Sequence, residues 1–319
     1  MTTLLADVGG TNARFALLRP GHSTPTDLAL LRCDDHASLL DATRSYLAQH
    51  ASEAPRWGAI GIATPVLGDL VSMTNHPWSF SIRELQAALA LQRLVVINDF
   101  TALALALPLL QAHQLHAVGP GRARAGSPKA VLGPGTGLGV SALIPHGDVF
   151  VPLAGEGGHV TLSASSDAED AVIAVLRRRF GHASAERALS GPGLVNLYLA
   201  CCNIAGRTPE ALEPDQVSAL ALRDADPMCR RAVDMFLALL GSTAANLALT
   251  LGALGGIYIG GGIVPRLVPL LDASPFRARF EAKGRYASYL REIPTWVITS
   301  EFPPALLGVA RALEMATQE

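Results

Sequence analysis

"LLADVGGTNARFALL", residues Leu4–Leu18, decides the fold. An apolar run ends on Asp7 and Val8, the turn residues Gly9-Gly10-Thr11-Asn12 follow, and a second apolar run begins at Ala13. Leu4–Val8 reads as a strand and Arg14–Leu18 as its return. Paired glycines beside a threonine suit a turn that brings backbone N–H groups close to phosphate oxygens. Asp7 sits awkwardly there, because two anions so close repel by several kcal/mol in a partly dry site. A divalent cation between them turns the repulsion into attraction, and Mg²⁺ binds through one or two carboxylates plus substrate phosphates. The plainer alternative is a strand-end aspartate that hydrogen-bonds the turn.

The same signature recurs in "AVLGPGTGLGVSALI", residues Ala130–Ile144, with Gly135-Thr136-Gly137 at its turn. A third glycine run, Gly260-Gly261-Gly262, follows the short apolar strand Ile257–Ile259. None is a Walker A sequence and none fits G-x-G-x-x-G. Three such turns at strand ends are better explained by a nucleotide than by plain hairpins, and the likeness of the first two suggests a duplicated unit. Further strands are expected at Trp57–Pro65 and Leu94–Phe100. Helices are expected at Ser81–Leu91, with Ser81 and Glu84 at capping-box spacing, and at Ser165–Gly181. A long helix is capped by Asp226 with Pro227 at its first position, and a final amphipathic helix starts near Pro304. Strands alternating with helices indicate an α/β protein with a largely parallel, buried sheet. The looser stretch Gly119–Pro128 reads as an exposed loop, with a domain boundary between Pro108 and it.

The 319 residues suffice for two domains, and half of them are hydrophobic, which allows a large interior. A net charge of −2 offers no basic surplus for nucleic acid. "RRRF" at Arg177–Phe180 is the one basic cluster of note; it falls at a helix end, where cations suit the dipole, and reads as a solvated face. Cys33, Cys201, Cys202 and Cys229 contain no C-x-x-C pair, which argues against a zinc site and a disulfide framework and for the cytoplasm. No secretory signal is expected before Asp7. Met235–Pro265 carries no charged side chain, but it contains Ser242, Thr243 and Asn246 and dissolves into "GALGGIYIGGG". It reads as a core helix ending near Gly252, not as a membrane span.

Asn98-Asp99 follows the strand Leu94–Ile97. Ligands of open α/β sheets gather at the carboxyl ends of strands, where an aspartate serves as a general base, although an Asx cap for the next helix fits equally well. "PLAGEGGHV" sets Glu156 and His159 among glycines, where they have little packing reason to be and could grip a polyhydroxylated ligand. Glu186 by itself reads as an ordinary surface glutamate.

Taken together, "DVGGTNARFAL", "TNHPWSF", "INDFTA", "GPGTGLGV", "GEGGHV", "ERALSGPGLVNLY" and "GGIYIGGGIVPR" closely resemble the bacterial glucokinases, with the motifs in order from Leu4 to about Arg311. The resemblance implies the actin/hexokinase-like fold, two ribonuclease H-like α/β domains flanking a cleft. The small domain would be residues 1–110 plus 303–319, and the large domain 111–302. The implied reaction is ATP-dependent phosphorylation of glucose. Asp99 would be the catalytic base, and Asn98, Asp99, Glu156, His159, Glu186 and, less firmly, Asn75 the sugar contacts. Ala6, Asp7, Val8, Gly9, Gly10, Thr11 and Asn12 fall on the first phosphate site, with Asp7 toward Mg²⁺. Gly135, Thr136 and Gly137 fall on the second, and Gly260, Gly261 and Gly262 on the adenosine side. The family suggests a homodimer. The cysteine-rich zinc motif of the neighbouring repressor and sugar-kinase family is absent, which matches the zinc-free proteobacterial type. Rival readings are a kinase for mannose or an N-acetylated hexose, a sugar sensor, for which no helix-turn-helix precedes Leu4, and an actin-like filament protein, which leaves the sugar-gripping set unexplained.

Overall fold

The structure, a computed structural model, describes residues 1–147 and 149–318 and falls into two units, Met1–Gln111 with Ser300–Glu319 and Ala112–Thr299. The first unit holds β1 (Thr3–Val8), β2 (Asn12–Leu18), β3 (Thr26–Arg32), β4 (Trp57–Ile62), the short pair β5 (Leu70–Ser72) and β6 (Ser79–Ser81), and β7 (Arg93–Asn98). Its main sheet runs β3-β2-β1-β4-β7. β1 pairs antiparallel with β2 and parallel with β4, and β4 pairs parallel with β7. Val8, Ile62 and Asn98 therefore end three parallel strands on one line.

The helices α1 (Leu39–His50), α2 (Ile82–Ala88) and α3 (Asp99–Ala106) complete this part of the chain. Ser81 accepts the Glu84 N–H as the spacing predicts, but the expected helix loses its last turn. The chain takes a left-handed conformation at Ala90 (φ 53°), which no helix can continue through. Side chains alternate along β1. Leu4, Ala6 and Val8 enter a core with Phe15, Tyr46 and Trp78, while Leu5 faces Ala102, Leu306 and Val309. Asp7 shares the Leu5 face, the side from which α3 starts.

The second unit contains β8 (Leu115–Ala117), β9 (Lys129–Pro134), β10 (Leu138–His146), β11 (Val149–Gly155), β12 (Ile257–Ile259) and β13 (Thr295–Ile298), ordered β11-β10-β9-β12-β13-β8. Setting β8 aside, the strands of each sheet follow the same order of occurrence, 3-2-1-4-5, so the weak repeat in the sequence is a repeat of topology. The outer strands β3 and β11 show apolar side chains to solvent, among them Leu30, Val151 and Leu153. This removes the polar-out alternation by which a sequence betrays an edge strand.

The helices of this unit are α4 (Asp167–Phe180), α5 (Gly191–Ile204), α6 (Pro214–Leu222), α7 (Pro227–Leu251), α8 (Val264–Leu271), α9 (Phe276–Glu281) and α10 (Ala287–Arg291). α4 is capped by Ser166, and its last turn carries the three arginines. α7 starts on the Asp226 cap and stops at left-handed Gly252, as the sequence predicts. Its length and composition would allow a membrane crossing, but its apolar window is 72% buried within the protein. The closing helix α11 (Pro304–Gln318) belongs to the first unit and packs on α3. Gly308 lies so close to the Ala102 carbonyl that a Cβ there would overlap it.

Candidate active site

In the first unit the β1–β2 turn is closed by the Gly9 N–H donating to Asn12 O (2.9 Å). Cys33 braces it from below: its N–H donates to Thr11 O (2.9 Å) and its Sγ–H to Gly9 O (3.4 Å). Three carbonyl oxygens of the turn are thus occupied. Of the turn amides, that of Gly9 is engaged inside the hairpin.

Asp7 does not bond the turn. Its Oδ2 accepts from Arg14 Nη1 at 3.2 Å, a pairing imposed by the register that sets Asp7 opposite Arg14. Burial pushes the Asp7 carboxyl up, and Arg14 opposes that rise. Arg14 is a partner the sequence reading missed. Hairpin register was the signal, since residues equidistant from a tight turn face one another.

Asn98 and Asp99 occupy the end of β7 and the start of α3. Asn98 Oδ1 accepts the N–H groups of Phe100 (2.9 Å) and Thr101 (3.1 Å), so Asn98 is the helix cap that one of the two sequence readings expected. Its Nδ2 donates to Asp99 Oδ1 (2.9 Å), which also accepts the Phe100 N–H (2.9 Å). Burial raises the Asp99 carboxyl to about 6; the Asp7 charge pushes the same way, and these hydrogen bonds act against both. Gly61, between Asp7 and Ile97 in the sheet register, leaves room for this corner: a Cβ there would come 3.6 Å from Asp99 Cα and 3.3 Å from Ala102 Cβ. Asn75 is exposed and packs on the β1–β2 turn, its Cβ and carbonyl oxygen each 3.2 Å from where a Gly10 Cβ would stand.

The second unit gathers the remaining residues. Gly135 closes the second turn through its N–H to Gly137 O (2.8 Å), and Gly135 O accepts the Gly191 N–H (2.8 Å) at the start of α5. Glu186 is half-buried, and its Oε2 accepts the Leu138 N–H at 2.9 Å. Glu156 and His159 are exposed at either end of a short 3₁₀ turn, Gly157–His159. That stretch is not loose: Gly158 lies against the Leu138 carbonyl, where a Cβ would overlap, and Gly157 against Val140. Its glycines are there because the chain passes directly over β10. In the third turn Gly260 donates to Leu132 O (2.9 Å), and Gly261 (φ 79°) abuts the Pro134 carbonyl, which sets it beside the second turn.

"RRRF" is not wholly a solvated face. Arg179 donates to Asn196 Oδ1 (3.1 Å), and Arg179 and Arg187 both lie over the Phe180 ring. Among the described residues no three His, Cys, Asp or Glu side chains group as metal ligands, and all four cysteines are free. A Mg²⁺ ion that arrives with phosphates needs no such group, and the Asp7 carboxylate is the kind of hard oxygen donor it takes.

Known proteins carry the same pattern along their full length. A family profile described as Glucokinase matches residues 4–316. A curated glucokinase of Aromatoleum aromaticum is 56% identical over 314 residues, 98% of this chain and 95% of that protein. The crystal structure of a glucokinase from an Antarctic psychrotroph superposes with a TM-score of 0.88 at 37% identity, covering 98% of this chain and 99% of the other. A ROK family glucokinase from Streptomyces griseus, solved in complex with glucose and AMPPNP, shares the fold at a TM-score of 0.67 and 19% identity, with the whole length of both chains covered. The fold is that of the actin-like sugar kinases. With the motif order, the duplicated sheet topology and the full-length match in agreement, the chain belongs to the glucokinase family.

Proposed function

We propose that this protein transfers the γ-phosphoryl group of ATP to the 6-hydroxyl of glucose. The observation that carries the reading is Asp99, a carboxyl raised to about 6 and held by two hydrogen bonds in the same unit as a glycine turn. A base whose proton affinity lies near the working pH is mostly ionised yet still accepts a proton readily. Asp99 takes the proton of the attacking hydroxyl. Asn98, Glu156, His159 and Glu186 hydrogen-bond the ring hydroxyls, with Asn75 beside them, and their work is placement.

The amides of Gly10 and Thr11, and the turn Gly135–Gly137, receive the phosphates, and Gly260–Gly262 the adenosine side. Ala6, Val8, Gly9 and Asn12 build the first of these turns. Mg²⁺ held at Asp7 would neutralise charge on the phosphates as they react. ATP is favoured as donor by the AMPPNP complex of the Streptomyces griseus relative, and glucose by the names of the relatives. Four unpaired buried thiols favour a reducing, cytoplasmic setting. The family resemblance further suggests a homodimer, which sedimentation would test.

A panel of hexoses in an ADP-release assay with ATP and Mg²⁺ tests the reading. Glucose is expected to give the highest kcat/KM; a clear preference for mannose or an N-acetylated hexose would overturn the substrate, and no ADP release with any hexose would overturn the activity.

A further inference from the structure

Two glycines of one phosphate turn differ in what surrounds them. Around Gly135 a Cβ would meet nothing within 4 Å, whereas on Gly137 it would overlap the Glu186 carboxylate. Neither glycine has a positive φ, so backbone freedom does not account for Gly137. The next residue, Leu138, touches the sugar-side set twice. Its N–H donates to Glu186 Oε2 (2.9 Å), and its carbonyl lies against Gly158, the residue before His159. The segments that follow His159 and precede Glu186 are zipped together by Ala185 N–H to Val160 O and Leu162 N–H to Ala183 O, both 2.9 Å. The first unit repeats the arrangement more loosely, with Asn75 3.2 Å from a Cβ on Gly10.

We propose that Gly137 and the Leu138 N–H are positioning residues for the sugar: Gly137 is glycine so that the Glu186 carboxylate can dock on the phosphate turn. This rests on the reading of Glu186 as a sugar contact. The turn that receives nucleotide phosphate and the side chain that grips the sugar are then one mechanical element. A side chain added to the nucleotide turn disturbs sugar binding even when no nucleotide is present.

Glucose binding to the full-length, nucleotide-free protein, measured by titration calorimetry, tests this. In Gly137→Ala the atom displaced is the end of a flexible side chain, so the fold is kept. The glucose Kd rises about tenfold through loss of a charge-assisted contact. Gly135→Ala leaves the glucose Kd unchanged, and Gly10→Ala raises it about two- to threefold, since Asn75 need yield only slightly. In a cycle with Glu186→Gln, adding Gly137→Ala produces no further rise, because both act through one side chain. A wild-type glucose Kd in Gly137→Ala, an equal rise in Gly135→Ala, or additive effects in the cycle would overturn the proposal while leaving the kinase reading intact. Failure of the wild-type protein to bind glucose would instead overturn the kinase reading together with it.

Discussion

The carboxylates of Asp7 and Asp99 stand near one another at the carboxyl end of one sheet, and the charge of Asp7 helps to raise the proton affinity of Asp99. Arg14 pairs with Asp7 at 3.2 Å and opposes the rise that burial causes there, while Asp99 is held by amide donors and, among the described residues, pairs with no cation. In the proposed function these two similar side chains take different tasks, the one facing cationic charge and the other exchanging a proton.

Asp99→Asn is expected to keep glucose binding and to lose about 10²–10⁴-fold or more in turnover. In the wild-type protein kcat/KM for glucose is expected to fall on the acid side of about pH 6, where Asp99 becomes protonated. Near-normal turnover in the variant, or an acid limb near the ordinary carboxylate value of 3.8, would count against Asp99 as the base.

The same shift predicts a stability effect. The folded-state value lies above the unfolded 3.8, so ionising Asp99 costs the folded state free energy. That penalty is absent below the unfolded value, grows as pH rises from about 4, and is complete above about 6. Asp99→Asn should therefore melt higher than wild type at pH 8, by an amount of order 1–3 kcal/mol, with the gain vanishing near pH 4. Thermal unfolding at the two pH values measures it.

Asp7→Asn removes the metal-facing charge but not the hydrogen-bonding shape. The Mg²⁺ concentration for half-maximal activity at fixed ATP is expected to rise by an order of magnitude or so. A superimposable Mg²⁺ titration would show that Asp7 has another role.

At Asn98 two substitutions separate capping from chemistry. Asn98→Ala loses the acceptor of two N–H groups and should cost about 1–2 kcal/mol of stability. Asn98→Asp keeps the cap but sets an anion against Asp99, so near pH 4, where the carboxyls are partly protonated, the protein should melt closer to wild type than Asn98→Ala does, while the acid limb of its activity moves to higher pH. Equal melting losses in both variants would refute the cap.

Gly308→Ala drives a methyl group into the Ala102 carbonyl where α11 crosses α3. A loss of about 2–4 kcal/mol is expected, with lowered kcat in whatever folds, because α3 carries Asp99 in its first turn. Melting temperature and kcat on the same preparation check both; an unchanged melt would mean the helices separate without cost.

Much of the architecture is legible in the chain itself because its signals are local. Ser166, Asp226 and Gly252 bound their helices by backbone needs that lie within one turn, and the glycine turns announce themselves after their strands. The motif order carries the family, and the hairpin spacing contains the Asp7–Arg14 pair for a reader who counts it. Other features depend on residues brought together from distant parts of the chain, and only the tertiary structure decides them. Glu186 looks like any surface glutamate until Leu138 offers it an N–H, and Gly137 looks like Gly135 until that carboxylate fills the space beside it. The proton affinity of Asp99 belongs to the same class. Residue type sets its ordinary value, but burial and the charge of Asp7 set its working one, and neither exists until the sheet has formed.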